Sequence, residues 1–195
     1  MISKRTFNFV YPLLIAGLLV AACASRPELA ARSDVVPPGA DLSGLWQLRE
    51  EPGAKPLPRG GAEPGIRIPP KNTTTSAATR RPKRVSGSSV TMFLETGSSL
   101  KISQTPDGLF ISFDRAVVEE YTFGENRTVS VGPIEAQRVS AWNGMAFVVE
   151  TLDEQGTLLT ESWRLESAGA VLVREVSITR GDKQQFSTRQ RFDRI

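Results

Sequence analysis

Apolar and polar residues alternate with a period of two along most of the chain beyond residue 98, the pattern of β-strands with one buried face. In 109–114, for example, Leu109, Ile111 and Phe113 share one face. The same alternation predicts strands at 41–48, 99–104, 117–123, 127–132, 134–142, 145–151, 157–166, 170–179 and 185–194. Asn143-Gly144 is the strongest hairpin signal, because both residues tolerate positive φ. The segment 90–95 fits either a strand or a short turn of helix.

The connections between these segments are short, so neighbouring strands are expected to be antiparallel. A meander of this length usually closes into a barrel, because closure removes the exposed edges of the sheet. The pattern therefore predicts an all-β fold, an antiparallel up-and-down β-barrel domain over residues 41–195. Closure requires the first strand to pair with the last.

Residues 49–88 interrupt the pattern between the first strand and the rest. They are rich in Pro, Gly, Ser and Thr, and they carry nine basic and three acidic residues. Because such a segment cannot bury enough apolar area to offset its ordering entropy, we predict a long, basic, disordered insertion. Its densest cluster is either a solvated patch or a contact for anionic lipid head groups or an anionic envelope polymer, and it comprises Arg80, Arg81, Lys83 and Arg84.

The N-terminus has the three parts of a secretory signal: basic Lys4 and Arg5, an apolar stretch over 9–20, and small residues after it. Two cleavage sites compete. Ala22-Cys23-Ala24 fits ordinary signal peptidase, whereas Leu19-Val20-Ala21-Ala22-Cys23 resembles the lipobox of bacterial lipoproteins. We favour the lipobox, because the only cysteine of the chain stands at the end of the apolar stretch, where a lipobox has its cysteine.

The lipoprotein resemblance implies a signal peptide over 1–22, acylation of Cys23, and a tether over 23–40 that leads to the domain. Two or three acyl chains hold a protein on a membrane far more firmly than one. Residue 24 is Ala, which by resemblance to enterobacterial sorting points to the outer membrane, periplasmic face, rather than to inner-membrane retention.

Composition excludes several function classes. Removing residues 1–22 leaves 22 basic and 21 acidic residues, a net charge of +1, so bulk charge gives no support for nucleic-acid binding. The chain has no histidine, which excludes Ser-His-Asp catalysis and His-ligated metals. We predict no catalytic residues, no metal site, no cofactor and no enzymatic activity.

Gly44-Leu45-Trp46 resembles the G-x-W motif of lipocalin-like (calycin) barrels. In that family the Trp closes the base of the barrel and an Arg of a late strand packs across it. Here Arg189, Arg191 and Arg194 are the candidates, and Arg191 is the one we predict. The alternative is an ordinary core Trp near a surface Arg.

A second resemblance covers 41–48 and about 99–194, where "DLSGLWQL", "AWNGMAFVVET" and the closing "RFDR" are similar to uncharacterised proteobacterial envelope proteins. That group implies a fold and no activity. The calycin resemblance implies that a small apolar ligand or lipid binds inside the barrel.

Three functions remain open at this point: a ligand-binding envelope lipoprotein, an interaction module for envelope assembly or maintenance, and, least favoured, an enzyme. A roomy apolar cavity favours the first and a barrel filled by side chains favours the second. A buried carboxylate with a raised pKa in a cleft favours the third.

Overall fold

The structure is a computed structural model and describes residues 28–53, 55–58 and 89–195. Ten strands and two 3₁₀ helices follow one another in these ranges. The strands are β1 (Gly44–Leu48), β2 (Ser99–Gln104), β3 (Gly108–Phe113), β4 (Val117–Thr122), β5 (Glu125–Val131), β6 (Ile134–Asn143), β7 (Ala146–Asp153), β8 (Thr157–Glu166), β9 (Val171–Arg180) and β10 (Lys183–Arg194). The helices are η1 (Ser89–Phe93) and η2 (Ser167–Gly169).

All ten strands form one antiparallel sheet in the order β4-β3-β2-β1-β10-β9-β8-β7-β6-β5. The sheet curls into a nearly closed up-and-down barrel, which confirms the predicted fold class. The first strand pairs with the last, since Trp46 faces Arg194 and Leu48 faces Phe192. The two ends of the sheet are therefore β4 and β5, which are neighbours in the chain.

The strands of this sheet lie where the period-two pattern predicts them, and the structure differs from the prediction only at a few positions. The segment 90–95 contributes a 3₁₀ helix rather than a strand, η1, whose Val90 and Phe93 point into the barrel domain. The hairpin at Asn143-Gly144 exists, but only Gly144 has positive φ (57°). Asn143 remains in β6, paired with Ala146, so the two-residue turn lies one position later than the dipeptide indicates.

Aromatic side chains fill one end of the barrel. Phe123, Trp142 and Phe147 contact one another with ring centroids 5.6–5.8 Å apart. Trp46, Phe147, Trp163 and Phe192 have no solvent-accessible surface. Because a water-sized void would expose its lining atoms, these values show that no such void borders those four rings.

A second, smaller apolar cluster lies beneath η1. It joins Val90 and Leu94 to the inward side chains of β8 and β9, which are Leu159, Val176 and Ile178. The 3₁₀ helix thus occupies the other part of the barrel interior. At its start, Ser89 Oγ donates to Asp153 of β7, and at its end the Phe93 carbonyl accepts from Arg138 of β6. Charged side chains separate the two clusters: on β8, Glu161 lies between Leu159 of the second cluster and Trp163 of the first.

Described parts of the predicted tether and insertion lie against the barrel. The backbone of Leu29 is hydrogen-bonded to the Gln137 side chain of β6, and Arg32 forms an ion pair with Glu150 of β7 at 2.8 Å. At the start of the insertion, Thr188 of β10 donates a hydrogen bond to the Lys55 carbonyl. Residues 1–27, 54 and 59–88 lie outside the described residues.

Candidate functional site

The seam between β1 and β10 is closed by Trp46 and Arg194. The Trp46 ring is fully buried, and its Nε1 donates to the Leu42 carbonyl at 3.2 Å. The Arg194 guanidinium lies 4.2 Å from the ring centroid, within the range of a cation–π contact. It also donates to the carbonyls of Gly169 and Ser43, both at 2.9 Å.

The choice of Arg191 for this role is wrong, and strand parity gives the reason. Arg194 is the direct cross-strand partner of Trp46 and lies on the same face of the sheet. Arg191 is three positions away and therefore faces outward, where it forms an ion pair with Glu51 at 2.9 Å. Arg194, which was among the three candidates, takes the position that the lipocalin resemblance implies.

Gly44 contributes to the same closure through its missing side chain. A Cβ built at Gly44 would lie 2.6 Å from Nη1 of Arg194 and 3.3 Å from the Trp46 ring. Its φ of +152° is also unfavourable for other residues. The glycine of the G-x-W motif therefore makes room for the guanidinium that covers the tryptophan.

The opposite seam, between β4 and β5, is open. In the part of the chain that the structure describes, no backbone ladder joins these two strands. Side chains of β5 and β6 reach β4 instead: Arg127 of β5 donates to the Glu120 carbonyl at 3.0 Å, and Ser140 Oγ of β6 donates to the Thr122 carbonyl at 2.7 Å. The strands meet at the short connection after Thr122 and leave a gap in the wall beyond it.

A cleft of about 280 Å³ occupies this gap and leads into the barrel. Its walls are apolar on the side of η1, with Met92 and Phe93, and on the side of β5, with Val129 and Val131. Its charged lining comes from four different elements or their edges and consists of Glu95, Glu119, Arg127 and Arg138. We take this cleft, called the lateral cleft below, as the candidate site.

Arg138 and Glu119 form the inner rim of the lateral cleft. Their ion pair measures 2.8 Å, and Arg138 is 5% exposed although it carries a full charge. The same guanidinium donates to Thr151 at 3.2 Å and to the carbonyl of Phe93 at 3.4 Å. It therefore links β4, β6, β7 and η1 at one point.

Behind this rim lies a second, fully buried ion pair between Glu161 and Arg174. The two side chains are 2% and 1% exposed, and Arg174 Nη2 lies 2.5 Å from Glu161 Oε2. Arg174 stacks on Trp163 at 4.6 Å from its centroid and donates to the Glu95 carbonyl at 2.9 Å. Buried charges of this kind require such partners, because desolvation costs several kcal/mol per ion.

Glu95 completes the charged layer and differs from its neighbours. Its carboxylate makes none of the hydrogen bonds or ion pairs found among the described residues. Burial raises the pKa of the Glu95 carboxyl, and the charges of Glu119 and Glu161 raise it further, against Arg174 and Arg138. Nearby, burial holds the pKa of the Tyr121 hydroxyl far above its ordinary range, so that group stays neutral.

These groups are suited to holding a small molecule by charge and shape. The described residues contain no cluster of three His, Cys, Asp or Glu side chains placed to bind a metal ion. They also contain no helix that is long and apolar enough to cross a membrane.

Most of the predicted functional residues fall elsewhere. Gly44 and Trp46 meet at the closed seam, with Arg194 in place of Arg191. Cys23 lies outside the described residues, as does the basic cluster of Arg80, Arg81, Lys83 and Arg84. Their predicted roles in lipidation and in contact with an anionic surface therefore stay predictions.

The lateral cleft was missed, although the sequence carries a signal for its charged layer. Inward positions on β8 read Leu159, Glu161, Trp163, and those on β9 read Leu172, Arg174, Val176. A charge in the middle of an apolar face is a buried charge and therefore needs a partner. The same rule identifies Arg138 on β6, next to buried Ser140.

No protein-family model matches the chain, and no curated protein matches it. Among solved structures, the chain is similar to a secretory abundant heat soluble (SAHS) protein from Ramazzottius varieornatus, with 14% identity and a TM-score of 0.39. The similarity covers 50% of this chain and 70% of that protein. A similarity at this level carries no argument here, and the barrel is defined by its own strand pairing.

Proposed function

We propose that the protein is a lipid-anchored envelope protein whose barrel binds a small ligand in the lateral cleft. The observation that carries the proposal is the open seam between β4 and β5, which leads from the surface to half-buried charges. Binding sites are typically concave and apolar with a few placed polar groups, and the cleft combines Phe93 and Val129 with Glu95 and Glu119.

The ligand site proposed here differs from the lumen that the calycin resemblance implies. The lumen end is occupied by aromatic rings, among them Trp163 and Phe147, with no accessible surface. The interior beyond them holds the Glu161–Arg174 ion pair, whose separation would cost several kcal/mol. A ligand is therefore accommodated at the side of the barrel and has to be small.

The cleft is tested by native purification of the anchored protein and mass spectrometry of the small molecules that accompany it. Val129→Trp fills the cleft from the β5 wall. Val118→Trp is the matched control, because Val118 is 63% exposed and is not among the cleft residues. We expect a co-purifying molecule with the wild type and the control, and its loss with Val129→Trp. Equal recovery from all three proteins would place the ligand elsewhere.

Anchoring is supported by the lipobox-like sequence that ends at Cys23. The proposed location is the periplasmic face of the outer membrane. Cys23→Ser should release the protein from the membrane fraction and remove its label after growth with a fatty-acid analogue. If the serine variant stays in the membrane fraction and keeps the fatty-acid label, the proposed lipid anchor at Cys23 is wrong. The basic residues 80–84 are proposed to add contact with anionic head groups, which high salt should weaken.

The second candidate is an interaction module for envelope assembly. It is favoured by the side-chain-filled barrel and by exposed apolar residues beside the free edge, where Phe110 is 38% and Val118 63% exposed. The same purification separates the two candidates. A protein that accompanies the wild type and is lost with an outer-face Val118→Asp variant, with no small molecule present, would favour the interaction module. Glu95, a partly buried carboxylate of raised pKa in a cleft, has the property that favours an enzyme. We nevertheless propose no catalytic activity, because among the described residues this carboxylate has no hydrogen bond to a nucleophile or to a second acid–base group.

A further inference from the structure

One carboxylate of the lateral cleft has no ion-pair partner among the described residues. The charged lining consists of Glu95, Glu119, Arg127 and Arg138, and the buried pair of Glu161 and Arg174 lies behind it. Arg138 is engaged with Glu119, and Arg174 with Glu161. The carboxylate left over is that of Glu95.

The remaining arginine of the cleft lining, Arg127, also has other partners. It lies 3.5 Å from Glu125 and donates to the Glu120 carbonyl. Its side chain is 42% exposed, and solvent screens what is left of its field. An anionic ligand would therefore meet Glu95, and among the described residues that line the cleft no cationic side chain is free of other contacts.

The walls of the cleft define the rest of the occupant. Phe93 is 4% exposed, and Val131 at the end of β5 is 38% exposed. A strongly hydrated inorganic cation gains nothing from such walls. With about 280 Å³, the cleft is at the small end of ligand pockets, which suits a body of roughly a dozen non-hydrogen atoms.

We propose that the lateral cleft binds a small organic cation, an amine with an apolar body whose ammonium group pairs with Glu95. The inference rests on the proposed function, because it assigns a ligand class to the same cleft. Glu95 supplies the charge, while Met92, Phe93 and Val129 contact the apolar body. The Glu119–Arg138 pair stays intact and forms the inner limit of the site.

The test compares three probes that share one body and differ in head group: 4-phenylbutylamine, 4-phenylbutanol and 4-phenylbutyrate. Their affinities are measured by equilibrium dialysis against the full anchored protein in phosphatidylcholine nanodiscs, with empty nanodiscs as the blank. We expect the amine to bind about tenfold more tightly than the alcohol, because the ammonium group adds a charge-assisted hydrogen bond to a carboxylate that solvent partly reaches. The carboxylate probe should bind most weakly.

Variants assign the preference to one residue. Glu95→Gln should reduce the affinity for the amine to that for the alcohol and leave the alcohol unchanged. Glu120→Gln is the matched control, because Glu120 neighbours Glu119 on β4 but faces outward, and it should keep the tenfold preference. Glu95→Asp retains the negative charge and should keep part of the preference for the amine.

The outcomes separate the inference from the proposed function. If amine and alcohol bind equally and Val129→Trp removes both, the cleft binds ligands but the cation inference is wrong. If none of the probes binds, the cation inference is wrong, and the native purification with Val129→Trp decides separately whether the cleft holds another ligand. An amine preference that survives Glu95→Gln contradicts the assignment to Glu95. If Glu95→Gln does not fold, the wild-type comparison of the three probes still decides whether the site prefers a cation.

Discussion

The barrel has two seams that solve the same problem differently. At the β1–β10 seam, a backbone ladder and the stack of Arg194 on Trp46 close the wall. At the β4–β5 seam, the ladder is missing among the described residues, and the Arg138–Glu119 pair bridges the gap from inside. The first closure is made by the strands themselves, and the second by side chains.

The difference teaches where a filled barrel can still bind something. A ladder leaves no room between strands about 4.7–4.9 Å apart, so a closed seam only contributes stability. A seam bridged by side chains leaves a cleft whose lining is set by the bridging residues. Here the bridging residues are charged, and the cleft beside them also contains Glu95, whose carboxylate has no ion-pair partner among the described residues.

The largest expected effect lies at the closed seam. Trp46→Ala should lower the free energy of unfolding by about 3–5 kcal/mol, because it empties a large, fully buried aromatic site. Urea or guanidinium denaturation measures it. A loss below about 1 kcal/mol would mean that the first strand is peripheral and that the two seams do not differ as described.

The open seam should respond less strongly to loss of its bridge. Arg138→Met leaves Glu119 without its partner, and we expect a loss of about 2 kcal/mol, since Glu119 is 23% exposed and can be hydrated. Arg127→Met is the control at the same seam and should cost less than about 1 kcal/mol, because Arg127 is 42% exposed. Equal losses for the two variants would show that burial of Arg138 does not set the strength of this bridge.

Arg194→Ala sharpens the account of the closed seam with a smaller effect, about 1 kcal/mol, the size of a partly exposed cation–π contact. In a double-mutant cycle with Trp46→Ala, the two losses should not add, because each variant removes the same contact. Arg191→Ala, on the outer face, should combine additively with Trp46→Ala. If the losses of Arg194→Ala and Trp46→Ala add, the two side chains do not stabilise each other and the proposed contact is contradicted.

The closed seam was largely predictable because its signals are local. Alternation defines β1 and β10, and G-x-W points to the closing tryptophan. The Arg assignment failed at strand parity, because position 194 and not 191 shares the face of buried Phe192. The pairing of Trp46 with Arg194 is in addition a register between strands far apart in sequence, which the whole barrel sets.

The open seam was not predictable from the chain. Phe123-Gly124 looks like the other tight turns, and period two describes β4 and β5 as an ordinary hairpin. Whether two consecutive strands pair depends on the packing of the whole barrel, and here the inward ion pair of Glu119 and Arg138 joins β4 to β6 across the gap. Only the charged inward positions hinted at a buried polar layer.

The smallest effect is a slope with pH, and it tests whether the open seam really desolvates Glu95. Because the folded protein raises the pKa of this carboxyl, it holds a proton at pH values where the unfolded chain has released it. The contribution of Glu95 to the free energy of unfolding is therefore largest in acid. It falls as pH rises from the ordinary pKa of Glu, about 4.3, through the raised value, and is constant above it.

Glu95→Gln cannot release this proton, so the free energy of unfolding of the variant minus that of the wild type should increase across the same window. Denaturant unfolding at a series of pH values measures this difference, and Glu120→Gln, on the outer face, provides a control that should stay flat. The slope should be shallow, because Glu95 is reached by solvent through the cleft. If this difference in free energy does not change with pH for Glu95→Gln, the carboxylate of Glu95 is as well hydrated as one on the outer surface. The two seams would then differ in backbone pairing alone. A slope of opposite sign would mean that the charges of Arg174 and Arg138 outweigh the effects of burial and of the neighbouring carboxylates on Glu95.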